Sequence, residues 1–161
     1  MVLEVLAAVG LAGNIVQFID FGTNLLAEAR EIHQSATGSS ATNVELETIA
    51  ARLRHLAASL STSTPDPGPI VGQQLRNLAD EATAITDELL EAIEEVKLRG
   101  SKSSFKTFAH ALQHIGKNKK IAKLGGKLAR MQGQLNTHLL ALMRYDFFPT
   151  ANTTSVRRAL H

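Results

Sequence analysis

The hydrophobic positions of this chain recur at spacings of three and four residues through each long segment, the period of a helix face. Phe18, Phe21, Leu25, Ala29 and Ile32 keep that spacing across Gly22, which predicts a first helix from about residue 2 to about 36, bent near Gly22. TGSSAT (37–42) reads as a loop, and Thr42 with Glu45 as a capping box opening the next helix. Leu46, Ile49, Leu53, Leu56 and Leu60 form that helix's stripe, and STSTPDPGP (61–69) ends it. A long helix is expected over about 70 to 98, with Leu75, Leu78, Ala82, Ile85, Leu89, Ile93 and Val96 on one face. RGSKSS (99–104) breaks it, and Phe105, Phe108, Leu112 and Ile115 mark a short helix. The last helix, about 117 to 145, carries Ile121, Leu124, Leu128, Met131, Leu135, Leu139 and Leu142. Gly125 and Gly126 inside it cost ~1 kcal/mol each relative to alanine, which puts its straightness in question. Residues 148–161 show little periodicity and are expected to form a loose tail or a linker to downstream domains. Long helices joined by short breaks predict an all-α fold over residues 1–147, an antiparallel helical bundle of about four to six helices.

The first segment departs from the one-stripe pattern. Val2, Leu3, Val5, Leu6 and Val9 surround the helix, and Glu4 is the sole interruption. From Gly10 onward the faces separate: Gly10, Gly13, Asn14, Gln17 and Asp20 on one side, Leu11, Ile15, Phe18 and Ile19 on the other. A helix apolar all round is either a buried core helix or one meant for lipid. Small residues at 7, 10 and 13 fit close helix contact in either setting. The segment does not read as a secretory signal, because the first basic residue is Arg30. As a simple membrane span it is short: the 15 residues between Glu4 and Asp20 reach ~22 Å as a helix, against a bilayer core of ~30 Å.

Charge alters the picture further. The net charge is +2, but residues 1–95 hold 14 acidic and 4 basic residues, and residues 96–161 hold 1 acidic and 13 basic. Seven carboxylates (Asp80, Glu81, Asp87, Glu88, Glu91, Glu94 and Glu95) belong to the long third helix. The basic cluster includes Lys102, Lys106, Lys117, Lys119, Lys120, Lys123, Lys127 and Arg130. Two readings remain open for it: a face paired with the acidic helix, or a surface for anionic lipid, worth ~1 kcal/mol per basic residue. Nucleic acid is disfavoured, since no known nucleic-acid-binding motif is visible and the lysine run from 117 to 127 holds no aromatic residue.

Cysteine is absent, which excludes disulfides and thiolate metal sites and fits a reducing compartment. Nor does a catalytic constellation stand out. His110 and His114 lie four apart, but HALQH lacks the glutamate of the zinc-protease helix motif. IGKN (115–118) and LGGKL (124–128) both lack the spaced glycine and the hydroxyl residue of a phosphate-binding loop. The expectation is a non-enzyme without cofactor or metal.

GNIVQFIDFG (13–22), EAREIHQSATG (28–38) and NVELETIAARL (43–53) resemble the N-terminal domain of fungal STAND proteins, the NLR-like receptors. The resemblance continues through LADEATAITDELL (78–90), FKTFAHAL (105–112), the lysine run and QLNTHLLALMR (134–144), and spans roughly residues 3 to 145. This class is HeLo-like, similar to the HeLo domain of fungal incompatibility proteins and to the four-helix bundle of the necroptosis executioner pseudokinase. It implies a cytosolic bundle ahead of nucleotide-binding and repeat domains. It also implies an innate-immunity role: cell death by oligomerisation and plasma-membrane permeabilisation through the N-terminal helix. On that reading Val2, Leu3, Val5, Leu6, Val9, Leu11, Ile15, Phe18, Ile19 and Phe21 insert in lipid. Gly10, Gly13, Asn14, Gln17 and Asp20 then form a wet or helix-contacting stripe. The other reading is a non-lytic adaptor that associates with its own kind or with a partner. The chain departs from its relatives in KNKKIAKLGGKLARM (117–131), which has no acidic residue.

Overall fold

The computed structural model describes residues 2–34, 46–62, 70–98, 105–114 and 120–147, with side chains from 6–32, 46–62, 72–98, 105–112 and 120–144. These form five helices: α1 (Val2–Gln34), α2 (Leu46–Thr62), α3 (Ile70–Leu98), α4 (Phe105–His114) and α5 (Lys120–Phe147). The fold is an all-α bundle. The expected capping box at Thr42 and Glu45 lies outside the described residues.

The ties between helices set their directions. Asn14 meets Ser59, and Phe21 meets Arg52, so α1 and α2 run antiparallel. Glu47 pairs with Lys97 and Arg54 with Glu94, which sets α2 antiparallel to α3. Glu88 pairs with Lys127 and Glu81 with Arg130, which sets α3 antiparallel to α5. It follows that α1 runs parallel to α3 and antiparallel to α5. Both α1 and α3 pack against every other helix, and α4 packs against α1, α3 and α5.

The interior is aliphatic with a few phenylalanines. Leu11, Ile15 and Phe18 of α1, Ile85, Leu89 and Ile93 of α3, and Phe108 and Leu112 of α4 are fully buried. Each expected stripe faces this core as far as its side chains are described. The stripe of α5 weakens toward its end: Leu139 and Leu142 are half-buried. Thr86 is the one buried polar side chain among the described residues, and its hydroxyl donates to the Ala82 carbonyl at 3.0 Å.

Gly22 does not end or divide α1, which continues as one helix to Gln34. A Cβ at Gly22 would stand 3.0 Å from Leu128 Cδ1, so the missing side chain lets α5 approach closely. Gly125 and Gly126 do the opposite. α5 runs through both, and a Cβ at either would meet nothing within 4 Å.

Candidate functional site

The outward strip of α1 changes character along its length. From Asp20 onward it is polar, with Thr23, Asn24, Glu28, Arg30 and Glu31 exposed. Before Asp20 it consists of Leu6, Val9, Gly10, Gly13, Val16 and Gln17, also exposed and without a charge. Leu6 is 62% and Val9 54% exposed, values that core residues never show. The segment that looked apolar all round is therefore neither wholly buried nor wholly free. Ala8, Leu11, Ala12, Ile15, Phe18 and Ile19 enter the core, and the opposite side meets the outside.

The expected insertion residues thus fall into groups. Leu6 and Val9 are presented outward, whereas Leu11, Ile15, Phe18 and Ile19 are core residues in this state. Phe21 is half-buried, with the Arg52 guanidinium 5.2 Å above its ring. The side chains of Val2, Leu3 and Val5 lie outside the described residues. Within the polar stripe, Gly10, Gly13, Gln17 and Asp20 are exposed. Asn14 is half-buried, and its Nδ2 donates to the Ser59 carbonyl at 3.2 Å. A stripe that looked uniform in sequence therefore includes one anchor to α2.

α1 is, among the described residues, the helix long and apolar enough to cross a membrane, with Leu6–Ile32 as the candidate stretch. Only 39% of its most apolar window is buried in the bundle. The buried share includes Leu11, Ile15, Phe18 and Ile19, and the outward share includes Leu6, Val9 and Val16 beside the polar Gln17 and Asp20.

The basic residues divide as well. Lys127 Nζ lies 2.7 Å from Glu88 Oε1, and the Arg130 guanidinium pairs with Glu81, so both charges are engaged by α3. Lys106 and Lys123 are exposed and Lys120 is half-buried. Lys102, Lys117 and Lys119 lie outside the described residues. At the opposite end of the acidic helix, Lys97 pairs with Glu47 and Glu94, and Arg54 with the same two carboxylates. The acidic helix is thus clasped by cations from α2 and α5, which uses part of the charge asymmetry internally.

Sequence reasoning missed four exposed apolar residues: Val16 of α1, Leu98 of α3, and Leu140 and Met143 of α5. A usable signal was the stretch between Arg130 and Arg144, which contains no Asp, Glu, Lys or Arg.

An uncharged helical face is held to the bundle by apolar packing, with the Asn14–Ser59 hydrogen bond and the Arg52–Phe21 cation–π contact along the same helix. Comparison with known proteins gives one family: the profile described as "SesA: N-terminal domain on NACHT_NTPase and P-loop NTPases" matches residues 12–135. No curated protein and no solved structure matches the chain.

Proposed function

Because this chain belongs to the SesA family of N-terminal domains on NACHT and P-loop NTPases, an effector or signalling module of STAND proteins, we propose that it acts on membranes through α1. In the proposed cycle the bundle waits in the cytoplasm, linked to its nucleotide-binding domain. Activation brings several copies together at the plasma membrane. There α1 enters lipid, and the membrane leaks, causing cell death. The role uses no cofactor, no metal and no catalytic step.

One observation carries the reading: α1 presents Leu6 and Val9 to the outside, with no charge anywhere between Glu4 and Asp20. Energetics favour lipid as the place where the rest of the helix could be released. Leu11, Ile15, Phe18 and Ile19 are buried, and each such side chain is worth ~1.5–3 kcal/mol. Moving all four into water would cost ~6–12 kcal/mol, comparable with the whole stability of a domain, ~5–15 kcal/mol. In hydrocarbon the same side chains lose little, so lipid competes with the core where water does not. Asn14, Gln17 and Asp20 need polar surroundings at that point, and neighbouring copies of α1 around a wet lumen would provide them.

The exposed lysines Lys106 and Lys123, with Lys120, support attraction to anionic headgroups in this reading. The test is dye release from vesicles containing anionic lipid. Wild type should release dye, and Leu6→Glu should not, although its fold is kept because Leu6 is outside the core. Equal release by both proteins would reject the reading. Self-association with no lipid affinity would replace it with the non-lytic adaptor.

A further inference from the structure

Five of the six large apolar side chains that stand exposed among the described residues lie in the N-terminal half of α1 or the C-terminal half of α5: Leu6, Val9, Val16, Leu140 and Met143. The sixth, Leu98, lies at the far end of α3. Because α1 and α5 run antiparallel, with Gly22 against Leu128, these two halves share one end of the bundle. Charge is missing from every helix there. Residues 5–19 of α1, 55–62 of α2, 70–75 of α3 and 131–143 of α5 contain no Asp, Glu, Lys or Arg.

We propose that this uncharged band docks the still-folded bundle on a lipid surface, with Leu140 and Met143 of α5 entering the interface beside Leu6 and Val9 of α1. The proposal rests on the membrane reading above and adds a second contact helix and an earlier step. Lipid is favoured over a protein partner by the shape of the charge depletion. A protein interface is depleted of charge at its core, whereas here Asp, Glu, Lys and Arg are absent on four helices, not just around one patch. The stretch is bounded lengthwise by charge, with Glu4, Arg144 and Asp146 at one end and Asp20 and Arg130 at the other. Helices lying in a membrane interface have their apolar side sunk ~5–10 Å and their flanking charges at headgroup level. The exposed Arg144 is placed to reach the headgroups in that way. Leu140 is 64% and Met143 56% exposed, so neither has to leave the core to make the contact.

A band without charge gains nothing from anionic lipid and loses nothing to screening. The test uses neutral phosphatidylcholine vesicles and the 161-residue chain, with co-sedimentation and dye release measured on the same samples. Wild type should bind equally at ~0.1 M and ~0.5 M NaCl, across which the Debye length shrinks severalfold. Leu140→Glu/Met143→Glu should bind at least about ten-fold more weakly, the scale of losing two apolar contacts. Leu98→Glu, at a side chain 86% exposed on the other end, should bind as wild type does. Unchanged binding by the double variant overturns the proposal, as does an equal loss in Leu98→Glu. Dye release that persists in such samples leaves the membrane reading standing. Docking without release, in wild type and with anionic lipid added, overturns that reading and keeps the docking surface. Finally, a lipid-free dimer that Leu140→Glu/Met143→Glu dissociates would assign the band to a second copy and overturn the lipid assignment.

Discussion

Asn14 of α1 donates from Nδ2 to the carbonyl of Ser59, 3.2 Å away and 45 residues on, in the last turn of α2. Carbonyls in a helix's last turn lack backbone partners along their own helix, and the Ser59 carbonyl also accepts from Thr62 Oγ1 at 3.3 Å. Asn14 therefore caps α2 from the side and at the same time fastens the segment that the proposed mechanism must release. Asn14→Ala removes a hydrogen bond worth ~0.5–1.5 kcal/mol. A thermal melt should fall by a few degrees, at ~2–4 °C per kcal/mol for a chain of this size. Dye release should become faster, because one restraint on α1 is gone. Slower release with a lowered melt would mean that Asn14 acts in the membrane state instead.

Glycines in two helices should respond oppositely to substitution. A Cβ at Gly22 already meets Leu128 Cδ1 at 3.0 Å, so Gly22→Leu forces α1 and α5 apart. Overpacking of this kind costs ~1–3 kcal/mol, and denaturant titration should show at least that loss. At Gly126, exposed and with nothing within 4 Å of a new Cβ, Gly126→Ala should stabilise. The expected gain is ~0.5–1 kcal/mol, from helix propensity and reduced freedom of the unfolded chain.

The clasp between α2 and α3 sets a pH window. The hydrogen bond from Lys97, and then its charge, hold the Glu47 carboxyl below its ordinary 4.5. The same hydrogen bond holds the Lys97 amine above its ordinary 10.5. A depressed carboxyl adds stability that is present above its unfolded value and lost as pH falls through the folded one. A raised amine adds stability that is present below its unfolded value and lost as pH rises through the folded one. The stability difference between wild type and Glu47→Gln should therefore be flat from about pH 5 to about pH 10 and vanish on either side. Glu47 is exposed and Lys97 half-buried, so the plateau should be small and should shrink with salt. Denaturant unfolding across pH checks this.

Basic residues of α4 and α5 should separate into two behaviours. Lys127 is bound to Glu88, and Arg130 to Glu81. Lys127→Gln should lower stability modestly and leave affinity for anionic vesicles nearly unchanged. Lys106 and Lys123 are exposed, and the corresponding Gln variants should each weaken that affinity by ~1 kcal/mol, about five-fold. Co-sedimentation against anionic vesicles, paired with thermal melts, distinguishes the two classes.

Much of the architecture was legible because stripes and breaks agree. The stripe from Leu75 to Val96 and the proline-rich break before it placed α3 at residues 70–98, where it stands. Continuity of Phe18, Phe21 and Leu25 through Gly22 gave one long first helix. Gly22 also serves a helix contact 106 residues away in sequence (128 − 22), which no local pattern reports. Around residues 2–9 an apolar residue occupies nearly every direction, so periodicity supplied no phase. It could not tell that Ala8 would turn inward while Leu6 and Val9 faced out. Below that point Asn14, Gln17 and Asp20 supplied the phase, and the inward set Leu11, Ile15, Phe18 and Ile19 followed from it. The basic run left pairing and lipid attraction both open, since the choice depends on the register of α5 against α3, a long-range property. The same holds for Leu140: a helix stripe marks it as off the core, but not that it shares an end with Leu6.

The central claim, that the outward face of early α1 meets lipid, can be read at single residues because the chain has no cysteine. A polarity-sensitive fluorophore on Leu6→Cys or Val9→Cys should shift to the blue when vesicles are added and become shielded from an aqueous quencher. The same label on Leu98→Cys should remain in water. No shift at positions 6 and 9, or an equal shift at 98, in samples where the chain is bound to vesicles, would contradict the account.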